Sequence, residues 1–140
     1  MRIFVDTNIV IDLLCEREPW FEDAAEVFRM GIMGEAEVFC SSLTLATASY
    51  LMGRRKMDAA DIFESIRRFC EFCTPTAVDT KVVQMALDSA FLDFEDALQC
   101  YSAQEAQIDC IVTRNKKDFE RADIPVYDLS EFLKLSTDKR

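Results

Sequence analysis

Short apolar runs alternate along the chain with longer segments in which apolar residues recur at every third or fourth position. The short runs, rich in β-branched and aromatic residues, are typical of buried strands, whereas the longer periodicity is typical of helices that pack one face on a core. The predicted strands cover residues 2–5, 37–40, 72–77, 110–112 and 125–127. The predicted helices cover residues 8–15, 20–33, 43–54, a segment begun by Asp58, a segment capped by Asp79, residues 94–106, and a terminal stretch around 129–133.

Strands separated by helices favour a parallel sheet covered on both faces, because a parallel connection needs a crossover that is usually a helix. The chain has 140 residues, 50% of them apolar, which suits one domain with one core. We therefore expect a three-layer α/β/α fold with right-handed crossovers and a central first strand. The strand at 72–77 is expected near a sheet edge, because Pro75 has no N–H group to donate.

The absence of histidine narrows the chemistry that the chain can perform. It excludes Ser-His-Asp and Cys-His nucleophiles, histidine general bases and histidine-rich zinc or iron sites. Hydrolysis would have to use carboxylates, which are hard ligands suited to Mg²⁺ or Mn²⁺. The net charge of −10 argues against a broad surface that grips nucleic acid, although bound divalent ions can reverse the local sign at a small site.

The sequence also indicates where the protein is located and whether its cysteines are reduced. It has no secretory signal and no apolar run of about 18 residues, so a cytoplasmic protein without membrane contact is expected. The six cysteines lie mostly in apolar periodic segments and are interpreted as reduced core residues.

The motif Asp6-Thr7-Asn8 directly follows the first predicted strand. In open α/β sheets, ligands bind outside the carboxyl ends of the strands, so Asp6 would lie at the ligand-binding edge. A carboxylate there is either a group that handles a metal or phosphate, or the N-cap of the next helix, since Asp is a favoured cap. The motif alone does not separate these two interpretations.

Three further polar motifs stand at comparable positions. Asp93 and Asp96 are three residues apart at a predicted helix start, so they share one face. Segment 113–118 follows a predicted strand with a hydroxyl, an amide and an acid, and segment 41–47 follows another and turns its threonines towards the same edge. Clustered carboxylates repel one another unless a cation holds them. The pattern therefore predicts a divalent-metal site.

These motifs resemble those of the PIN-domain family of metal-dependent nucleases. The matching segments, in the family's order and spacing, are residues 6–8, 93–99, 113–119 and 124–127. The likeness spans residues 1–134, which we interpret as a single PIN-like domain, with residues 135–140 as a C-terminal tail.

The resemblance implies a five-stranded parallel sheet flanked by helices, with an acidic pocket that binds Mg²⁺ or Mn²⁺. It also implies cleavage of RNA, often as the toxin of a bacterial toxin–antitoxin pair, and it suggests a homodimer. Asp6 matches the family's first metal-binding acid, and Asp96 matches the acid at the start of the later helix, with Asp93 as a neighbouring candidate. Asn115 and Asp118 fall where the last acid, or its polar substitute, is found.

One departure from the family pattern concerns the helix after the second strand. Family members commonly carry Glu there, and this chain has Thr47 in its place. A hydroxyl can bind Mg²⁺ or hold its water but brings no charge, which weakens the case for two tightly held ions. The alternative function is therefore a catalytically weak or inactive PIN-like module that binds nucleic acid or protein.

The favoured hypothesis is a metal-dependent endoribonuclease in which Asp6 and Asp96 bind the ion and Asp93 or Asp118 completes the site. Other polar residues would hold ligands in place through hydrogen bonds: Thr7, Asn8, Thr47, Thr113 and Asn115. Basic residues of the last motif would contact substrate phosphates, or else lie in a solvated turn: Arg114, Lys116 and Lys117.

A phosphatase or phosphotransfer receiver is the third class weighed. Phosphatases of the haloacid-dehalogenase type need a second Asp two residues after the nucleophile, where this chain has Asn8. A receiver would need its phosphorylated Asp on a middle strand and an acidic pair after the first strand, and the sequence offers neither.

Overall fold

The computed structural model describes residues 1–138, which contain one five-stranded sheet with all strands parallel. The strands are β1 (Arg2–Val5), β2 (Glu37–Ser41), β3 (Thr74–Thr76), β4 (Cys110–Thr113) and β5 (Val126–Asp128). Their order across the sheet is β3-β2-β1-β4-β5. The first strand is therefore central and β3, which contains Pro75, lies at an edge, as the sequence predicted.

Seven α-helices connect and follow these strands within the described residues: α1 (Thr7–Leu14), α2 (Phe21–Ile32), α3 (Ser42–Arg54), α4 (Ala59–Phe69), α5 (Thr80–Leu87), α6 (Phe94–Glu105) and α7 (Leu129–Asp138). Several helices begin at a polar residue whose side chain accepts a backbone N–H bond, as expected of N-caps. These caps are Asp6, Ser41, Asp58, Asp79 and Asp93.

The core lies on both faces of the sheet because successive residues of a strand point to opposite sides. Ile3 and Val5 of β1 pack in one apolar cluster with residues of α2 and α7. Phe4, between them, belongs to a second cluster that includes Cys100 and Ala103 of α6. The predicted three-layer α/β/α fold is thus confirmed. Five of the six cysteines are buried, in keeping with a place in the core.

The strand order places a crevice beside the end of β1. From β1 the chain adds β2 and β3 on one side of β1, and it later crosses over to add β4 and β5 on the other side. In open α/β sheets, ligands bind at the point where the strand order reverses in this way. Val5 pairs with Val112, and the Asp6 N–H donates to the Val112 carbonyl at 3.0 Å. The residues that follow β1 and β4 therefore begin side by side.

The structure also differs from the predicted elements in places. A short 3₁₀ helix at Lys116–Phe119 was not predicted, and β3 is shorter than the predicted strand at 72–77. Helix α7 continues through residues 135–138, which the sequence placed in a tail; residues 139–140 lie outside the described residues. Among the described residues, no helix is both long and apolar enough to cross a membrane.

Candidate active site

Asp6 lies at the carboxyl end of β1 and is only 6% exposed. Its Oδ1 accepts the Thr7 N–H at 2.7 Å, and its Oδ2 accepts the Thr113 hydroxyl at 2.8 Å. Burial raises the pKa of Asp6 above its usual value, opposed by these two hydrogen bonds and reinforced by the nearby acids Glu95 and Asp118. Asp6 is therefore the N-cap of α1 and also a member of an acidic cluster.

Asp96 lies in the first turn of α6 and is partly buried. Its backbone N–H donates to Oδ1 of Asp93 at 3.0 Å, so this cap bond ties the Asp93 carboxylate to the backbone of Asp96. Burial, followed by repulsion from Asp93, Asp118, Asp6 and Glu95, raises the pKa of Asp96 from 3.8 to about 7. The structure thus brings together all four acids that the sequence proposed as catalytic.

A small cleft of about 90 Å³ opens beside these acids. Asp93, Asp96 and Asp118 line it together with Lys117, which is the predicted phosphate-binding residue that the structure places at the cleft. Arg121 also lines it and adds a second cation that the sequence interpretation did not include. The cleft therefore combines clustered carboxylates with two basic side chains.

Thr113 links the two chain segments that meet at this site. Its hydroxyl donates to Asp6 and accepts the Asn115 N–H at 3.0 Å. Thr113 is fully buried, whereas the Asn115 side chain is exposed. Thr113 therefore bonds Asp6 directly and Asn115 bonds Thr113 through its backbone, and their predicted roles in holding metal ligands stay predictions.

A buried polar network lies below Asp6 and includes a residue that the sequence interpretation missed. Nε2 of Gln99 donates to the hydroxyls of Thr7 and Thr44, the latter at 3.0 Å. The two threonine hydroxyls are 2.8 Å apart, and Thr44 also bonds Ser41 at 3.1 Å. This network ties α1, α3 and α6 together beneath the acids. The signal in the sequence is one amide among the apolar residues 97–100, on the helix that carries Asp96.

Comparison with known families now identifies this arrangement. A family model described as "PIN domain" matches residues 2–117. The chain belongs to the PIN-domain family. PIN domains are generally nucleases that depend on divalent metal ions.

Solved structures agree with this PIN fold. One similar structure is VapBC2 from Rickettsia felis, bound to a DNA fragment from the VapBC2 promoter. It superimposes with a TM-score of 0.63 at 17% sequence identity, and the match covers 91% of this chain and 98% of that chain. FitAB bound to an IR36 DNA fragment superimposes with a TM-score of 0.56 at 16% identity, covering 91% and 94%. At these identities the likeness supports the fold alone. No curated protein matches the chain in sequence.

The donor set of this PIN domain suits an ion that keeps part of its water. Within residues 1–138, no group of three or more His, Cys, Asp or Glu side chains is placed to hold a metal ion through protein atoms alone. Mg²⁺ usually takes only one or two carboxylates and retains several waters. Asp6 and Asp96 offer such a pair: burial is the main cause of the raised pKa of Asp96, and repulsion from Asp93, Asp118 and Asp6 adds to it. The residues present therefore fit a hydrated divalent ion.

Thr47, which stands where PIN domains commonly have Glu, forms a bond within its own helix. Its hydroxyl donates to the Leu43 carbonyl at 3.3 Å. The hydroxyl of α3 that joins the network below Asp6 is instead that of Thr44, which is fully buried. Thr44 therefore contacts Thr7, Ser41 and Gln99, and the predicted role of Thr47 in holding metal ligands stays a prediction.

Two of the three basic residues predicted to contact phosphate are engaged elsewhere. Arg114 pairs with the buried Asp12, with Nε 2.9 Å from Oδ2, and Lys116 pairs with Glu131 at 3.3 Å. Asp12 also pairs with Arg17 at 2.8 Å. The interpretation of Arg114 as a phosphate contact is corrected accordingly, because its guanidinium neutralises an internal carboxylate.

Asn8 occupies a more peripheral place than its motif suggested. Its side chain is partly exposed, and its carbonyl accepts a hydrogen bond from Arg17 at 3.4 Å. Asn8 therefore contributes a backbone contact to the surroundings of Asp12, and its predicted role in orienting metal ligands stays a prediction.

Proposed function

We propose that this PIN domain is an Mg²⁺- or Mn²⁺-dependent endoribonuclease. The observation that carries the proposal is the pairing of a buried carboxylate at the end of the central strand, Asp6, with a carboxylate of raised pKa at the start of α6, Asp96. Such clustering of like charges is costly to folding, and a divalent cation relieves it. Perturbed carboxylates at the crevice of a parallel sheet are typical of functional sites.

Each side chain then has a distinct task. Asp6 and Asp96 would hold the ion, which when bound would polarise a phosphodiester and lower the pKa of a water molecule. Asp93 and Asp118 line the cleft and complete its acidic surface. Thr113 keeps the Asp6 carboxylate in one orientation, and Lys117 is the cation available to a substrate phosphate.

The test is cleavage of a mixed pool of single-stranded RNA in the presence of Mg²⁺ or Mn²⁺. We expect cleavage by the wild type and its loss in Asp6→Asn and Asp96→Asn. Glu64→Gln is a matched control, because Glu64 is an exposed carboxylate of α4 that pairs only with neighbouring arginines. Cleavage by all variants at the same rate would remove these residues from the mechanism.

Thr47 favours a second candidate function, a PIN-like module that binds nucleic acid or protein without cutting. The family's additional carboxylate is missing from α3, and the Thr47 hydroxyl is bonded to its own helix. This alternative predicts no cleavage by the wild type with either ion. It also predicts no Mg²⁺-induced rise in Tm that depends on Asp6 and Asp96.

We also propose an antitoxin partner and a homodimer. The antitoxin is supported by the structural likeness to VapBC2 and FitAB, and exposed apolar side chains offer contact surface for a second chain. Leu87 and Leu92, for example, are 67% and 95% exposed. Sedimentation analysis of the purified 16.1 kDa chain tests the dimer, since a single-chain mass at high concentration contradicts it.

A further inference from the structure

Trp20 is an exposed aromatic ring with one face fixed. The guanidinium carbon of Arg114 lies 4.1 Å from the centroid of the Trp20 ring, and the residue is 40% exposed. Other apolar residues of the following helix, such as Ala24, Val27 and Phe28, are buried. The Trp20 ring thus packs against the Arg114 guanidinium and is not buried in the hydrophobic core.

The cation beneath the ring is itself immobilised. Arg114 pairs with Asp12, and Asp12, whose side chain is fully buried, also pairs with Arg17 at 2.8 Å. The backbone of Trp20 is anchored too, because its N–H donates to the Arg17 carbonyl at 3.1 Å. The ring is therefore already ordered, so a ligand that stacks on it loses little further conformational entropy.

This ordered ring is connected to the acidic site through consecutive residues. Arg114 directly follows Thr113, whose hydroxyl donates to Asp6 at 2.8 Å. Arg17 bonds the carbonyl of Asn8, two residues after Asp6. The two arginines beside Trp20 therefore contact both segments around Asp6. Arg114 follows Thr113 in the chain, and Arg17 bonds Asn8.

The chemistry that remains available at Trp20 is stacking. The Arg114 guanidinium is committed to its ion pair with Asp12, which Arg17 shares, and to the face of the Trp20 ring. Bases of single-stranded nucleic acid stack on exposed aromatic rings, and this contact does not depend on counterion release. It is therefore a suitable source of affinity for a chain with a net charge of −10.

We propose that Trp20 is a stacking platform for one base of single-stranded RNA, adjacent to the acidic site. The proposal rests on the proposed endoribonuclease function and adds to it a specific contact with a nucleobase. Trp20 positions the strand so that a neighbouring phosphate reaches Asp6 and Asp96. Stacking tolerates any base, so the platform contributes affinity more than sequence preference.

Trp20 is the only tryptophan, so its fluorescence reports the contact directly. The wild type is titrated with a single-stranded oligoadenylate of about eight nucleotides, a length typical of such sites. Both titrations contain Ca²⁺ in place of Mg²⁺, because Ca²⁺ binds the same kinds of oxygen ligand with a looser geometry. A second titration uses the same oligonucleotide with abasic sugars. We expect quenching by the first probe and little change with the second.

Variants separate stacking from a purely structural role. Trp20→Leu should weaken oligoadenylate binding, measured by anisotropy of a labelled probe, by roughly tenfold or more, and Trp20→Phe should restore most of it. Phe63→Leu is the control, since Phe63 is an aromatic residue of α4 that is 70% exposed. The Phe63→Leu variant should bind oligoadenylate with the affinity of the wild type.

The outcomes are distinguishable from those of the nuclease test. Binding of oligoadenylate without quenching, or equal quenching by the abasic probe, overturns the stacking platform even if the protein cleaves RNA. The stacking platform is also overturned if the oligoadenylate does not bind, or if Trp20→Leu lowers Tm but leaves the affinity for oligoadenylate unchanged. Base-dependent quenching without cleavage supports the platform and instead contradicts the proposed nuclease activity.

Discussion

The hydroxyl of Thr113 donates to Oδ2 of Asp6 at 2.8 Å and thereby joins the ends of β4 and β1 at the acidic site. This bond lowers the pKa of a carboxylate that burial otherwise raises. It also leaves lone pairs on both Asp6 oxygens, because each accepts only one hydrogen bond in the structure. The pair thus keeps Asp6 oriented and leaves lone pairs on both of its oxygens for the proposed cation.

Replacement of Thr113 by Val should destabilise the protein and weaken its response to magnesium. The change preserves shape but removes the donor, so a buried carboxylate oxygen loses its partner at a cost of about 1–3 kcal/mol. Chemical denaturation measures this loss, and the rise in Tm on addition of Mg²⁺ should shrink. Thr113→Ser retains the hydroxyl and should behave more like the wild type. An undiminished Mg²⁺ response in Thr113→Val would contradict the role assigned to this bond.

Asp96 should make the metal-free protein less stable as pH rises. Its folded pKa is about 7, raised from 3.8, so the folded state binds this proton more tightly than the unfolded chain. The resulting stabilisation is fully present below 3.8 and is lost as pH increases through about 7. Asp96→Asn removes this dependence.

Thermal unfolding in EDTA provides the measurement for Asp96. At about pH 8, Asp96→Asn should have a higher Tm than the wild type, and the difference should vanish near pH 4. With Mg²⁺ at the higher pH, the wild type should gain stability and the variant should not. Identical pH profiles of the two proteins in EDTA would show that repulsion at Asp96 does not affect folding.

Local sequence signals predicted most of the fold and the acids of the site. Asp6 directly follows β1 and caps α1, so its capping role and its position at a strand end could be deduced from neighbours in sequence, whereas Asp93 indicates only the start of α6. The parallel order then brought the acids to one edge. Helix α7 extends beyond the prediction, which had only the apolar residues around Leu129 and Phe132 to define it.

The residues that sequence did not reveal depend on distant partners. Asp12 is fully buried among the apolar residues of α1, and its partner Arg114 is more than a hundred residues away in sequence. Gln99 likewise is buried because Thr7 and Thr44 meet it from two other helices. Such pairings arise from packing, which hydrophobic periodicity alone does not encode.

Gln99 should matter for stability although it is not one of the acids. Gln99→Met keeps a similar volume but removes the amide that donates to the buried hydroxyls of Thr7 and Thr44. These hydroxyls keep only their bond to each other and that of Thr44 to Ser41, so we expect a loss of about 1 kcal/mol. Gln104→Met on the same helix is the control, since Gln104 is partly exposed and should change stability by less than about 0.5 kcal/mol. Equal denaturation midpoints for the two variants would exclude the buried network as a source of stability.

Asp12 should control both stability and the environment of Trp20. Asp12→Asn removes the charge that holds Arg17 and Arg114, leaving two partly buried guanidinium groups unneutralised. Breaking such a buried pair from one side costs about 3 kcal/mol or more. Because Arg114 also supports the Trp20 ring, the tryptophan emission should shift to the red and become more sensitive to iodide quenching. Asp88→Asn, at an exposed position after α5, should leave both properties unchanged. An Asp12→Asn protein with wild-type Tm and emission would show that this ion pair neither stabilises the fold nor orders the ring.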